Sequence, residues 1–224
     1  MRDSGVILLS DFSEVLFHGI QGTENFIAKR YGSRAGRQFK KRMESAEMQE
    51  WLRELLRGKI DEDLFWEDFI RDREDLPFSA EDAKQAFRDN MRRPGIDGTF
   101  ELYKSIKKVP KYIGSDEKVE GAPEMWIISD HIKECIPDLN VYHQEVFDYA
   151  KAMIWSCDFG IIKQDPEFFG VLISKFDFDP SEVIFIDDNP INVEAAREYG
   201  IYAIVFKNAK QLESDLKKAG FEFV

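Results

Sequence analysis

Short apolar runs alternate with stretches of helical periodicity along most of this chain. Five runs have the length and continuity of strands that are buried on both faces, at residues 6–9, 125–128, 152–155, 183–186 and 202–206. A helical pattern follows each of them. Strands that alternate with helices predict a doubly wound parallel sheet, a Rossmann-like α/β fold with helices on both faces.

The stretch between the first two strands has a helical pattern of its own. Apolar side chains recur there at three- and four-residue spacing, which is typical of amphipathic helices, at residues 47–56, 60–70 and 81–91. Gly19 and Gly22 precede this region and Pro94-Gly95 follows it, so both ends resemble hinges. We therefore expect a Rossmann-like core formed by residues 1–19 and 95–224. Residues 20–94 would form an inserted α-helical cap domain.

Local signals suggest further details of the core. Residues 97–107 show a helical pattern, and the polar residues 109–124 predict a surface loop at the amino ends of the strands. Asp165 and Asn189 each precede a proline, a combination that predicts a capped helix start. Gly200 lies where a left-handed residue would end the second of these helices.

Composition narrows the classes of partner. The chain has 224 residues and a formal net charge of -12, with acidic residues spread along its length. Such a field disfavours nucleic acid and anionic membranes as partners. An anionic substrate would need local positive charge from a lysine, a helix amino terminus or a bound cation.

Two further features concern the compartment. We see neither a run long enough to cross a bilayer nor a signal-like amino terminus, so we expect a cytoplasmic protein. Cys135 and Cys157 lack metal-ligand spacing, and we expect both to be reduced.

Polar side chains cluster at the ends of the predicted strands. Asp11 ends the first strand, Ser129-Asp130 the second and Asp187-Asp188 the fourth, while Lys163 follows the third. The carboxyl ends of parallel strands meet at one edge of a sheet, where ligands usually bind. Carboxylates suit Mg²⁺, and an ammonium and a hydroxyl suit phosphoryl oxygens. The pattern predicts a site for a hard cation and an anion.

The order of these residues resembles that of the haloacid dehalogenase-like hydrolase superfamily. Residues 160–200, which begin GIIKQDPEFF and end IFIDDNPINVEAAREYG, are similar to the later half of the subgroup with a helical cap after the first strand. The resemblance covers essentially the whole chain. Each motif is weakly specific alone, but their shared order is a strong signal.

The resemblance implies a reaction and assigns roles to residues. Asp11 would be the nucleophile of a phosphatase that forms an aspartyl-phosphate. Lys163, Ser129 and Asp130 would bind the substrate. Mg²⁺ would be held by the carboxylates of Asp11, Asp187 and Asp188 and by the backbone carbonyl of Ser13. The expected substrate is a small phosphomonoester, a phosphorylated metabolite.

Ser13 departs from the phosphatase pattern. Relatives of this type usually have a second aspartate at that position, which protonates the leaving oxygen and later activates water. A serine hydroxyl is too weak an acid to replace it, and general acid–base catalysis typically contributes ~10²–10⁴-fold. Glu14 could substitute only if it shared the side of Asp11, and strand alternation predicts the opposite side.

Alternatives remain open at this point. The protein could be a catalytically weak or silent relative that binds a phosphorylated ligand or a protein partner. Carbon–halogen or carbon–phosphorus cleavage is a third possibility, and the latter would require a cap lysine, with candidates Lys29, Lys40, Lys41 and Lys59. Of the three histidines, His18 lies just beyond Asp11 and would be near the mouth of the site.

Overall fold

The computed structural model describes residues 6–224, so residues 1–5 of the predicted core lie outside the described residues. The strands, in chain order, are β1 Ile7–Asp11, β2 Ile106–Pro110, β3 Lys118–Glu120, β4 Glu124–Ser129, β5 Ala152–Trp155, β6 Val183–Asp187, β7 Tyr202–Val205 and β8 Glu222–Phe223. The helices are α1 Thr23–Tyr31, α2 Ser33–Met43, α3 Ala46–Leu56, α4 Glu62–Ile70, α5 Ala80–Met91, α6 Thr99–Lys104, α7 Ile136–Tyr142, α8 Gln144–Tyr149, α9 Phe168–Phe176, α10 Pro190–Glu198 and α11 Ala209–Lys218.

A five-stranded parallel sheet forms the centre of the molecule, with strand order β5-β4-β1-β6-β7. This confirms the predicted α/β fold and all five predicted strands. β1 pairs with β4 on one side and β6 on the other, with Asp11 opposite Ile128 and Ser10 opposite Ile186. The register therefore brings the carboxyl ends of these three strands side by side.

Alternate residues of β1 support two separate hydrophobic layers. Leu8 packs into a cluster that continues into the helices after β1, whereas Ile7 and Leu9 face a second cluster against α9 and α10. All three side chains are almost fully buried. A strand covered on both faces needs apolar residues at every position, which explains the uninterrupted run in the sequence.

A second, antiparallel sheet with strand order β3-β2-β8 corrects two predictions. The expected helix at residues 97–107 is only the short α6, because the chain extends from Ile106 onwards. The expected loop at residues 109–124 contains a hairpin. Lys108 forms ion pairs with Glu120 and with Glu222 near the carboxyl terminus. This pairing joins positions far apart in the chain, which local periodicity cannot reveal.

The starts of two helices test the predicted caps. Asn189 caps α10 by accepting a hydrogen bond from the Ile191 backbone N–H, and Gly200 has the left-handed φ of +78° expected after that helix. The prediction for Asp165 was wrong, since α9 begins three residues later and has no side-chain cap. The Asp165 carboxylate instead accepts hydrogen bonds from Arg57 and from the Ile162 backbone.

Helices α1–α5 form the helical insertion, which occupies the predicted cap segment, residues 20–94. Its aromatic core includes Phe39, Phe65, Trp66 and Phe69, all almost fully buried. This core is continuous with the layer on one face of the central sheet. Within residues 6–224, no helix combines the length and the apolar character needed to cross a membrane.

Gly36 permits the close approach of α1 and α2. A Cβ atom at this position would lie 2.6 Å from the Glu24 carbonyl oxygen and 2.7 Å from the Ala28 Cβ. Replacing a helical glycine by alanine ordinarily stabilises a helix by roughly 0.5–1 kcal/mol. Here we expect Gly36→Ala to lower the free energy of unfolding by about 1–3 kcal/mol, because the helices must separate.

Urea denaturation measures this change. Arg37→Ala, at an exposed position of the same helix, is the control and should change stability by less than about 0.5 kcal/mol. A stabilised Gly36→Ala variant would contradict the packing described for α1 and α2.

Candidate active site

The ends of β1 and β6 place two carboxylates on either side of one ammonium group. Lys163 Nζ lies 2.7 Å from Asp11 Oδ2 and 2.7 Å from Asp187 Oδ2. All three side chains are buried, with exposures of 4% for Asp11, 0% for Asp187 and 2% for Lys163. The three groups form a charge cluster at the carboxyl edge of the sheet, where the sequence predicted one.

The start of α10 fixes the orientation of Asp187. Its Oδ1 accepts hydrogen bonds from the Asn189 backbone N–H at 2.8 Å and from the Asn192 side chain at 3.0 Å. Asn189 also caps the helix, so one short segment holds both the carboxylate and the helix start. The cap was evident from the sequence, whereas Asn192, in the first turn of α10, was not.

The end of β4 contributes Ser129 and Asp130. The Ser129 hydroxyl is buried and has no hydrogen-bond partner among residues 6–224. A buried polar atom of this kind costs free energy unless a water or ligand completes its bonding. Asp130 accepts a hydrogen bond from the Lys163 backbone N–H at 3.1 Å, so it positions the segment that carries the lysine.

Burial and mutual repulsion shift the protonation equilibria of this cluster. Burial raises the pKa of Asp11 well above its ordinary value, against the lowering effect of Lys163. It raises the pKa of Asp130 to about 6 and also raises that of Asp188. Burial alone would lower the pKa of Lys163, but the surrounding carboxylates raise it above the ordinary range. The lysine is therefore charged, and carboxylates outnumber it.

Three of these carboxylates are close enough to share a metal ion. One oxygen from each of Asp11, Asp187 and Asp188 lies within 4.8 Å of the other two. Carboxylate oxygens are the ligands that Mg²⁺ prefers, and a divalent cation would offset the excess negative charge. The unpartnered Ser129 hydroxyl nearby could donate to an oxyanion. The residues present thus fit a hard cation with an anionic ligand.

The loop after β1 corrects the prediction for Glu14. The strand ends at Asp11, and Glu14 has a left-handed φ of +59°, so strand alternation no longer applies. As a result, Asp11, Ser13 and Glu14 line the same pocket. Glu14 Oε1 accepts a hydrogen bond from the Gly19 backbone N–H at 2.8 Å, which closes the loop. Burial raises the pKa of Glu14, and this hydrogen bond opposes the shift.

The pocket has a volume of about 230 Å³ and lies between the sheet edge and the helical insertion. Its floor comes from the core, and its opposite wall comes from the linker and two helices of the insertion, with Ile20, Gln21, Leu52, Leu56 and Phe87. His131 also lines it, whereas His18, the histidine singled out from the sequence, does not. Burial lowers the pKa of His131 to about 4, so its imidazole is neutral at neutral pH.

Two polar contacts hold the insertion against the core beside this pocket. The Ser156 hydroxyl donates to the Leu56 carbonyl oxygen at 2.6 Å and accepts from the His131 backbone N–H at 3.2 Å. Arg57 Nε donates to Asp165 Oδ2 at 3.0 Å. These contacts close the pocket on the side of α3. Cys135 and Cys157 are both free, as predicted.

Comparison with known proteins identifies the family. Residues 7–200 match the haloacid dehalogenase-like hydrolase family, which is most of the chain. The protein belongs to this family. The sequence-based resemblance is therefore confirmed, and the charge cluster lies within the matched residues.

Relatives of this haloacid dehalogenase-like hydrolase include a plant enzyme. Flavin mononucleotide hydrolase 1 of the Arabidopsis thaliana chloroplast is 30% identical over 174 residues, 76% of this chain. The chain spans only 62% of the length of that enzyme.

Solved structures share the fold. A haloacid dehalogenase family enzyme from Bacteroides thetaiotaomicron, in complex with magnesium and inorganic phosphate, superposes with a TM-score of 0.58 at 18% identity, over 91% of this chain and 94% of that one. The L-2-haloacid dehalogenase of Xanthobacter autotrophicus gives a TM-score of 0.61 at 14% identity, over 96% and 83% of the two chains.

The charge cluster makes Lys163 important for stability. Lys163→Met would leave the buried carboxylates of Asp11 and Asp187 without their shared counter-ion. Removing one partner of a buried ion pair costs about 3–5 kcal/mol, and we expect a loss of that size in the free energy of unfolding without added metal.

Chemical denaturation of the purified variant measures the loss. Lys210→Met, which removes an exposed lysine of α11, is the matched control and should change stability by less than about 0.5 kcal/mol. A loss below about 1 kcal/mol for Lys163→Met would show that the ammonium does not balance the two carboxylates.

Proposed function

We propose that this hydrolase is a Mg²⁺-dependent phosphatase that acts on a small phosphomonoester through an aspartyl-phosphate on Asp11. The observation that carries the proposal is the shared ammonium of Lys163, 2.7 Å from Asp11 and 2.7 Å from Asp187, beside a third carboxylate. The arrangement combines a buried nucleophile with positive charge for an anion. The flavin mononucleotide hydrolase among its relatives supports phosphomonoester chemistry.

Each residue of the site has a proposed role in the reaction. The Asp11 carboxylate attacks phosphorus, the ester oxygen leaves, and water later cleaves the acyl phosphate. The Lys163 ammonium stabilises negative charge on the transferring group, and the Ser129 hydroxyl donates to a phosphoryl oxygen. The helical insertion acts as the cap and excludes bulk water.

Metal would complete the site. When bound by Asp11, Asp187 and Asp188 with the Ser13 backbone carbonyl, Mg²⁺ would supply positive charge opposite the phosphoryl oxygens. The three carboxylates provide the oxygen ligands for this role. The main chain supplies the Ser13 carbonyl whatever the side chain at that position, so the serine does not weaken the metal site.

Ser13 favours a second candidate function. With a serine here, the loop lacks the acid that phosphatases of this type usually carry, while the charge cluster can still bind an anion. The second candidate is a protein that binds a phosphorylated ligand, or a protein partner, with little or no turnover. The nucleophile Asp11 and its buried lysine favour the first candidate, because a protein that only binds has less need of them.

Phosphate release from 4-nitrophenyl phosphate tests the first candidate. We expect Mg²⁺-dependent release by the natural protein and a loss of at least about 10³-fold in Asp11→Asn, because the amide cannot attack phosphorus. Asp116→Asn, at an exposed position of the β2–β3 hairpin, should retain full activity.

Equal and negligible rates for the natural protein and Asp11→Asn would contradict turnover. Titration calorimetry with Mg²⁺ and inorganic phosphate would then test the second candidate. Binding that Asp188→Asn weakens would support it.

A further inference from the structure

The wall that faces the charge cluster is uncharged. The helical insertion and its linker contribute Ile20, Leu52, Leu56 and Phe87, and the remaining group is the amide of Gln21. Among the residues that the structure describes, no lysine or arginine of the insertion, residues 20–94, lines the pocket. The part of a substrate beyond its phosphoryl group would lie against this apolar wall.

The rest of the pocket adds negative charge. Four carboxylates line it, those of Asp11, Glu14, Asp130 and Asp188. Among the residues described, Lys163 is the only lysine of the lining. The ammonium is already shared by Asp11 and Asp187. A second anionic group on a substrate would therefore lie beside carboxylates without a further basic side chain of the lining to pair with it, which costs free energy where that group is shielded from solvent.

The position that usually supplies an acid for the leaving oxygen holds Ser13, whose hydroxyl is too weak an acid. The His131 imidazole carries no extra proton at neutral pH. Two other carboxyl groups of the pocket are held by the main chain: Glu14 accepts from the Gly19 backbone N–H, and both oxygens of Asp130 accept from the Lys163 backbone N–H. An alcohol that departs without protonation must leave as its anion, and that step is fast only for acidic alcohols such as phenols and enols.

The pocket is small. Its volume of about 230 Å³ is below the roughly 300–1,000 Å³ of sites for drug-sized ligands. A phosphoryl group and a single ring or a short enol would occupy it, and a larger group would extend into solvent. The apolar side chains of Leu52, Leu56 and Phe87 provide a surface for such a flat group.

We propose that the substrates are small phosphomonoesters of acidic, uncharged alcohols with an apolar face, that is aryl or enol phosphates, and not sugar phosphates or bisphosphates. The proposal rests on the function proposed above. In the reaction the Asp11 oxygen forms a bond to phosphorus and the bond to the aryl oxygen breaks. The aryloxide leaves with the electron pair and takes a proton from water. A second water then attacks phosphorus and releases Asp11 and inorganic phosphate.

Steady-state kinetics with matched esters tests the class. In the presence of Mg²⁺, kcat/KM should be at least about 10²-fold higher for phenyl phosphate than for glycerol 3-phosphate or flavin mononucleotide, both alkyl esters. It should fall at least about 10-fold from phenyl phosphate to 4-carboxyphenyl phosphate, which adds only an anionic group. Comparable values for all of these esters would overturn the proposal.

Two variants separate the two causes of selectivity. Leu52→Lys should restore kcat/KM for 4-carboxyphenyl phosphate, whereas Leu64→Lys, on a partly exposed face of α4 outside the pocket, should not. Ser13→Asp should raise kcat for glycerol 3-phosphate at least about 10-fold more than it raises kcat for phenyl phosphate, because only the alkyl ester needs an acid for its leaving oxygen. A failure of Ser13→Asp combined with a large loss in Glu14→Gln on the alkyl esters would identify Glu14 as the acid and overturn the leaving-group argument.

A binding measurement keeps the substrate class separate from turnover. Phenylphosphonate and 4-carboxyphenylphosphonate cannot be hydrolysed, and titration calorimetry gives their affinities for the Mg²⁺-loaded protein. At least about 10-fold tighter binding of the uncharged compound supports the class even if no ester is hydrolysed, in which case only the phosphatase proposal fails. Equal affinities overturn the class even if phosphatase activity is present.

Discussion

The buried ammonium of Lys163, shared between Asp11 and Asp187, is the interaction on which the candidate site depends. The two carboxylates end neighbouring parallel strands, so β1–β6 pairing sets the distance between them. The lysine ammonium offsets the electrostatic repulsion between the two buried charges. Asn192 and the start of α10 hold Asp187 in place. The same cluster keeps more negative than positive charge, which favours a cation and an anion together.

Much of the fold and part of the site could be predicted because their causes are local. Buried strands need unbroken apolar runs, and parallel strands place their ends together, which led to Asp11, Lys163 and Asp187. Glu14 was misplaced because its left-handed backbone ends the strand pattern, and that conformation is not evident from residue type. The antiparallel sheet was missed because β2 pairs with the distant carboxyl terminus. The substrate pocket brings together side chains from separate helices, and no periodicity reports such contacts.

Ser13 links the two candidate functions and the proposed substrate class. With a serine at this position, the rate of ester cleavage depends on how well the leaving alcohol carries negative charge, so an acidic alcohol can react while a sugar alcohol reacts slowly. Hydrolysis of the aspartyl-phosphate also needs activation of water, and the same position would ordinarily supply it. In the proposed reaction an acidic alcohol leaves without this help, so hydrolysis of the aspartyl-phosphate would be the slower half-reaction and the protein would spend more of its cycle in the phosphorylated form. A protein that holds phosphate for long periods lies between an efficient enzyme and a binding protein.

Peptide mass spectrometry after rapid acid quench tests the central claim most directly. The protein would be mixed with Mg²⁺ and an excess of 4-nitrophenyl phosphate and quenched during turnover. The account predicts a phosphoryl group on the peptide that contains Asp11, together with an initial burst of 4-nitrophenol that approaches one equivalent per protein. Turnover without any phosphorylated peptide, or a phosphoryl group on another residue, would contradict a mechanism in which Asp11 is the nucleophile.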